Sequence, residues 1–402
     1  MKKTTAAKGQ GTGKSRLTGM TMIFFFMLSA VFAANLINMP GLVTVVNAAK
    51  AKKETGKESK KARKLRNPRI KKDKSMEAGQ KVAWDCIWFG SYPQTEIVDD
   101  PAKCVTYGST YAKESDYLVN KSLYEKLVSS DQWDDQGVLE GKKAKYKRVR
   151  ILGSGSDSDG EDGQEKADYH YFRFEKIKWR VLKVSKDKAI LLSDQVIDAG
   201  GYDVYDESLS ENALTWERSP MRSWLNGYDS SENSYEIDYS DHSFLGGAFS
   251  EKEQNAIVEK AINNENSGPY SKEYGGNNTE DKVFLLSYYE IYKTSTAASY
   301  GFCKKSYNVL DEARRSKSST YAKARGITTM SSTDMEEYDG CCEWSLRSPA
   351  GEEGNEAFVY PQGCVLDDTY AVDEDFPGVR PALKIDLSDA DLWEYAGTVK
   401  SK

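Results

Sequence analysis

Residues 177–193 constrain the architecture of this chain most strongly. Ile177, Lys178, Trp179, Arg180 and Val181 alternate apolar with polar, the period of a half-buried strand. Lys186, Asp187 and Lys188 supply a turn, and AILLS (189–193) supplies the returning strand. Short helices with legible ends follow. Ser219 before Pro220 opens one: serine accepts free backbone N–H groups, and proline at the first helical position lacks one. Met221, Trp224 and Leu225 fall on one face and Gly227 closes it. Ser250 with Glu253 has the spacing of a capping box and opens a second helix, with Ile257, Val258, Ala261 and Ile262 as its buried stripe. Antiparallel hairpins mixed with scattered helices argue for an α+β fold over a parallel α/β sheet.

The rest of the chain fits that frame. VAWDCIWFGSYPQTEI (82–97) reads as two strands around a Gly-Ser-Tyr-Pro turn. Residues 117–129 carry partial helical spacing in Leu118, Leu123 and Leu127, and 153–168 are a loop by composition. KVFLLS (282–287) predicts a strand, and Ser287 with Glu290 caps a short helix after it. Residues 311–326 predict a polar helix closed by Gly326. The end is short strands and loops: CCEWSLRSP, EAFVYPQGCVL and GVRPALKIDL.

The N-terminus is of a different kind. Lys2, Lys3, Lys8, Lys14 and Arg16 precede an apolar run from Met20 to Ala34, and small residues end at Ala48 and Ala49. A basic start, an apolar run and a small-residue exit are the parts of a secretory signal peptide, here residues 1–49. An uncleaved membrane anchor is the alternative, because the run is near spanning length. Between Lys50 and Lys74 there are 13 Lys/Arg against 3 Asp/Glu and almost nothing apolar, whereas the remainder is acidic. Residues 50–78 are therefore expected to be a disordered basic tether. Through 50–75 it would hold an anionic cell-wall polymer or anionic lipid headgroups, or act as a solvated spacer. Nucleic acid is not expected outside the membrane. The folded domain is expected over 79–390, with a charged insertion at about 99–170 and a tail at 391–402. Six cysteines (Cys86, Cys104, Cys303, Cys341, Cys342, Cys364) allow 15 disulfide pairings or buried free thiols.

Seven blocks occur in order: FGSYPQ (89–94), IKWRVL (177–182), TWERSPMRSWLNG (215–227), DKVFLLS (281–287), YAKARG (321–326), WSLRSP (344–349) and GVRPAL (378–383). Together they resemble the domain of unknown function DUF6273, common in exported and surface proteins of Firmicutes and relatives, over about 80–388. Many relatives carry a second Trp before LRSP; here Ser345 follows Trp344, which puts any role of that second ring in doubt. The ending is similar to that of C-type-lectin-like domains of the formylglycine-generating, sulfatase-modifying-factor type. That resemblance implies an irregular α+β fold with small antiparallel sheets, several short helices and long loops. It also places a recognition face in 351–377, with Glu356, Tyr360, Gln362, Asp367, Asp368, Tyr370 and Asp373 as ligand-binding candidates. Aromatics beside carboxylates and amides suit sugars or peptides, although Tyr360 and Tyr370 could equally pack on the sheet. Trp179, Trp224, Trp344, Arg347 and Arg380 read as structural motif residues, the arginines bonding backbone carbonyls or buried carboxylates.

Signals for catalysis are sparse. His170 and His242 are the two histidines, with no HExxH, no zinc spacing and no G-x-S-x-G nearby. Cys341, Cys342 and Cys364 do not match a reactive pair separated by a few residues. No catalytic residue is assigned. The acidic loop 157–162 and the cluster Asp367, Asp368, Asp373, Glu374 and Asp375 offer oxygen ligands for calcium; no other cofactor is expected. The expected function is a non-catalytic surface or secreted binding module for a glycan, wall polymer or protein ligand. Alternatives are an enzyme of the formylglycine-generating type and a structural surface protein without a small ligand.

Overall fold

The computed structural model describes residues 63–104, 114–150, 169–200, 215–268, 275–330, 336–350, 356–366 and 378–401. Its strands are β1 (Arg69–Lys72), β2 (Gln80–Val98), β3 (Tyr117–Val119), β4 (Val138–Glu140), β5 (Lys145–Arg150), β6 (Tyr169–Ser185), β7 (Lys188–Ser193), β8 (Asp198–Ala199), β9 (Lys260–Ile262), β10 (Thr279–Asp281), β11 (Val283–Phe284), β12 (Trp344–Pro349), β13 (Glu356–Val359), β14 (Val365–Leu366), β15 (Gly378–Val379), β16 (Ala382–Asp386) and β17 (Glu394–Lys400). The helices are α1 (Lys121–Ser129), α2 (Pro220–Asn226), α3 (Phe244–Ala248), α4 (Glu251–Ala256), α5 (Tyr288–Ile291), α6 (Ser295–Tyr300) and α7 (Thr320–Ala324). None of the described helices is long and apolar enough to cross a membrane.

The fold is α+β. A ten-stranded sheet follows the path β1-β2-β6-β7-β16-β11, a five-stranded sheet runs β14-β13-β12-β15-β8, and β9 pairs β10. Pairing is mostly antiparallel. The expected hairpin is β6–β7, with Val181 opposite Leu191 and Lys186 in the left-handed region at the turn. Ile177, Trp179 and Val181 enter the main core beside Trp84, Leu191 and Leu383. The caps read from the sequence are present: Ser219 accepts from Arg222, and both Ser250/Glu253 and Ser287/Glu290 form capping boxes.

Several expectations are corrected. Residues 82–97 are not two strands around a turn but part of one 19-residue strand. Gly90 and Pro93 are absorbed as irregularities, and the β2–β6 register shifts between Trp88 and Ser91 and again between Pro93 and Thr95. Proline cannot donate to a ladder, and a bulge is where a strand tolerates it. Gly90 has φ 67°, and a Cβ there would run into the Phe249 ring. The helix expected to carry Ile257, Val258, Ala261 and Ile262 ends at Ala256; the chain turns extended, with Ile262 buried on β9 and Ala261 exposed. Residues 311–326 are helical only over α7, because Asp311, Arg314 and Ser316 are buried polar groups in irregular chain. In 117–129, Asn120 caps α1 and the preceding residues form β3. The loop 153–168 lies outside the described residues.

Both ends of the domain also differ from expectation. Composition assigns 50–78 to a disordered tether, yet Arg69–Lys72 pairs with β2 and Leu65 is buried. Arg66 and Arg69 both pair with Asp85, at 2.9 and 2.8 Å, so the basic run is stitched down where it reaches the sheet. The expected tail contains β17, which pairs with β2 from Glu394 opposite Trp88 to Lys400 opposite Ala83.

Buried guanidinium groups hold the irregular chain. Arg314 donates to the carbonyls of Ile291, Cys303 and Gly363, and Arg380 to those of Ser193 and Arg314. Arg222 bonds Asp281 at 2.7 Å, and the same carboxylate accepts from Trp216. Arg347 donates to Leu285 O and to Glu290. Burial pushes the Glu290 carboxyl up, but Arg347 and Lys260 outweigh it and hold the group at about 2. A carboxyl held below its unfolded value stabilises the fold above pH 4.5, and that contribution is lost as pH falls towards 2. Glu290→Gln should therefore cost roughly 3 kcal/mol near neutral pH and flatten this acid limb, read by urea unfolding from pH 7 to pH 2.5.

Candidate functional site

The ligand candidates read from the sequence do not converge. Glu356 lies on β13 at 3% exposure and accepts a 3.0 Å bond from Ser345 Oγ. Tyr360 packs its ring 5.0 Å from Phe358, and the backbone closes a tight loop through Gly363 N–H to Tyr360 O. Gln362 offers its carbonyl to Arg315. Asp367, Asp368, Tyr370 and Asp373 lie outside the described residues, as do both acidic loops considered for calcium. Among the described residues no three His, Cys, Asp or Glu side chains gather as a metal site.

The motif residues sit in the frame. Trp179 donates to Phe89 O at 2.8 Å and Trp344 to Arg314 O at 3.0 Å. Arg380 is fully buried over the Trp344 ring. Trp224 is half-buried, 5.9 Å from Phe244.

A different set of side chains does converge, around Asp198. The two irregularities in β2 sit on either side of Tyr92, whose hydroxyl donates to Asp198 Oδ2 at 2.5 Å. Asp198 is placed by β8, which pairs with β15, and its Oδ1 accepts from Ala199 N–H. Helix α7 supplies the next wall. Ser319 caps it by accepting from Ala322 N–H, and Gly326, at φ 116°, ends it just after Arg325. This puts the Tyr321 ring 5.7 Å from Tyr92 and Arg325 Nε 3.4 Å from Asp198 Oδ1.

The floor comes from β6. Phe172 lies edge-on to Tyr321 at 5.3 Å, and Phe174 edge-on to Tyr92 at 6.3 Å. Lys147 and Lys145 of β5 stand opposite Phe172 and next to Phe174. Lys145 covers the Phe174 ring at 4.8 Å and pairs with Glu140. Lys147 donates to the carbonyl of Gln136. Burial pushes the Lys147 ammonium down, and Asp198 opposes that shift while Arg325 adds to it. Arg325 keeps 48% of its side chain exposed, and among the described residues Asp198 is its one side-chain partner. Burial and the Asp198 charge raise the Tyr92 phenol well above its ordinary value, so it stays a neutral donor.

Among the described residues the cluster offers no activated nucleophile. Burial pushes up the Cys86 thiol, to about 11, and also raises Cys104, Cys303, Cys342 and Cys364. All six cysteines are free thiols, and a neutral thiol is a poor nucleophile and metal ligand. His170 Nδ1 sits 2.6 Å from Glu96 and His242 3.3 Å from Gln136 Nε2, neither next to a serine poised for attack. FGSYPQ and YAKARG contain Tyr92, Tyr321 and Arg325, so the signal was present. What the sequence did not reveal is the bulged path that joins these two blocks to Asp198.

Residues 186–387, half of the chain, match the family described as Domain of unknown function (DUF6273). The match starts after FGSYPQ and IKWRVL, although the strands that carry them are integral to the same sheet. No curated protein and no solved structure matches the chain. Asp198, Tyr321 and Arg325 fall inside the matched span; Tyr92, Lys145 and Lys147 fall outside it. Tyr92→Phe removes the hydroxyl bonded to a buried carboxylate and should cost about 1–3 kcal/mol in urea unfolding, with the folded-state circular dichroism unchanged.

Proposed function

The chain belongs to the DUF6273 family, and from that premise we propose that it is an exported, non-catalytic binding module whose ligand seats in the cleft around Asp198 and Arg325. One observation carries the reading. A half-exposed guanidinium, Arg325, stands 3.4 Å from the buried Asp198, whose other carboxylate oxygen accepts from the Tyr92 hydroxyl. Lone surface arginines are ordinary; this one is held against a buried aspartate at the edge of a packed tyrosine cluster, with half of its side chain turned to solvent. The raised thiols weigh against an enzyme of the formylglycine-generating type, which would need reactive cysteines. The lectin-like reading covers the last strands, where β12, β13 and β14 form a small antiparallel array.

Localisation follows from residues 1–49, read as a signal peptide, and the basic segment acts as the wall- or lipid-contacting arm. Because Arg66 and Arg69 are committed to Asp85, the arm proper is 50–62. Charge attraction of such an arm is screened by salt. Cells expressing the full chain should retain it at low salt and release it at high salt, whereas a chain lacking 50–62 should appear in the medium under both conditions. Unchanged retention would make the arm a spacer. For the cleft, the full chain should co-sediment with isolated cell-wall material, and Arg325→Ala should reduce the bound fraction severalfold. Equal sedimentation of both proteins would remove the cleft from the reading.

A further inference from the structure

We infer that the β1–β2 hairpin is a docking edge for an anionic lipid surface, with Lys71, Lys72 and Lys74 as its contacting cations and Ile70 as an apolar foot. The inference rests on the reading of the basic segment as a wall- or lipid-contacting arm. It adds a folded part to that contact and commits it to lipid. β1 is fixed in register, with Arg69 opposite Ala83 and Lys72 opposite Gln80. Residues 63–85 carry eight Lys/Arg against three Asp/Glu, and the acids are largely spent inside the fold. Asp85 takes Arg66 and Arg69, and Asp73 takes Lys81 at 3.0 Å. Glu77, the third acid, accepts from Leu310 N–H, and its own carbonyl accepts from Lys305. Lys64, Lys71, Lys72 and Lys74 are exposed and have no side-chain partner among the described residues. The flanking elements do not reverse the balance. On β17, Glu394 is paired with Lys176, and Lys400 stands opposite Ala83. The β6–β7 turn, which Asn67 reaches at Val184 N–H, adds Lys183 and Lys186 against Asp187. The edge therefore keeps a positive charge after its internal pairs are counted.

Two observations select a lipid surface as the occupant. The first is Ile70, 43% exposed between Arg69 and Lys71. A dissolved polymer of phosphates or carboxylates gives that side chain nothing to bury against. The boundary between headgroups and acyl chains accepts it, while lysine stems beside it carry their charges to the phosphates. The second is continuity along the chain. Residues 50–62 add Lys50, Lys52, Lys53, Lys57, Lys60 and Lys61 against Glu54 and Glu58 and lead directly into Arg63. Arg63 is itself held at the edge, 3.8 Å over the Tyr395 ring of β17. The arm and the hairpin thus form one basic run whose second half is ordered. A cation near an anionic bilayer strengthens binding by about fivefold, so the exposed lysines suffice for a reversible, salt-sensitive contact.

The test is co-sedimentation of the exported chain, purified from expressing cells, with phosphatidylglycerol-containing vesicles, with phosphatidylcholine vesicles and with a glycerol-phosphate polymer. The expected result is binding to the anionic vesicles and not to the neutral ones, weakening as salt rises from about 50 to 300 mM. Lys71→Gln with Lys72→Gln should weaken it by about tenfold or more. Ile70→Ser should weaken it severalfold, with a loss that persists at the higher salt, because burial of an apolar side chain is not screened. A chain lacking 50–62 should keep part of its vesicle binding, and the lysine pair variant should remove that part. Vesicle binding lost on deleting 50–62 but unchanged in the lysine pair variant assigns the contact to the arm alone; the arm reading then survives and this inference falls. Lysine-dependent binding to the glycerol-phosphate polymer without vesicle binding makes the partner a wall polymer and likewise overturns the choice of lipid. Equal binding to neutral vesicles overturns it too. If no vesicle or polymer binds and salt does not release the chain from cells, both readings fall.

Discussion

The fold depends on side-chain N–H donors reaching buried backbone carbonyls. Much of this chain is irregular, and a buried carbonyl without a partner is costly. Arginine answers that need with five donors on a planar group. Arg314, fully buried, gathers carbonyls from Ile291, Cys303 and Gly363, three segments distant in sequence. Its own carbonyl then accepts from Trp344 and from Arg380. Arg380 in turn holds Ser193 O at the end of the central hairpin. One connected set of donors therefore ties β12 to the β7–β16 ladder, where no ladder joins β12 to either strand.

That frame explains why the Asp198 cluster is where it is. β15 and β8 pair next to Arg380, and β8 delivers Asp198. Residues 314–319 run from the buried Arg314 into the cap of α7, which delivers Tyr321 and Arg325. Bulged β2 brings Tyr92 from the other side. The cluster is thus a by-product of the same packing that satisfies the loops, with one difference in how the cation is used. Arg314, Arg347 and Arg380 point inward to carbonyls, whereas Arg325, at the end of its helix, points to Asp198 and to solvent.

Local signals were legible where physics is local. The β6–β7 hairpin, the Ser219 cap and both capping boxes depend on neighbouring residues alone, and the sequence displays them. The misread elements depend on distant partners. Gly90 and Pro93 look like a turn until a long β6 is available to pair across them. Residues 311–319 look like a polar helix until the carbonyls that Arg314 serves are known. The basic run looks disordered through Lys74 until Asp85, on a strand inside the domain, claims Arg66 and Arg69. The Asp198 cluster shows the same division: its tyrosines and Arg325 sit in recognisable blocks, while Asp198 carries no sequence signature, and only the sheet brings them together.

The central claim is that motif arginines here divide into frame and site. Urea unfolding of Arg380→Met beside Arg325→Met tests it most directly. The account predicts that Arg380→Met loses about 3 kcal/mol or more, because buried carbonyls lose their donors, while Arg325→Met loses only about 1 kcal/mol, because Asp198 keeps its bonds from Tyr92 and Ala199. Comparable losses in the two variants, or a larger loss at Arg325, would contradict the division and return Arg325 to the frame.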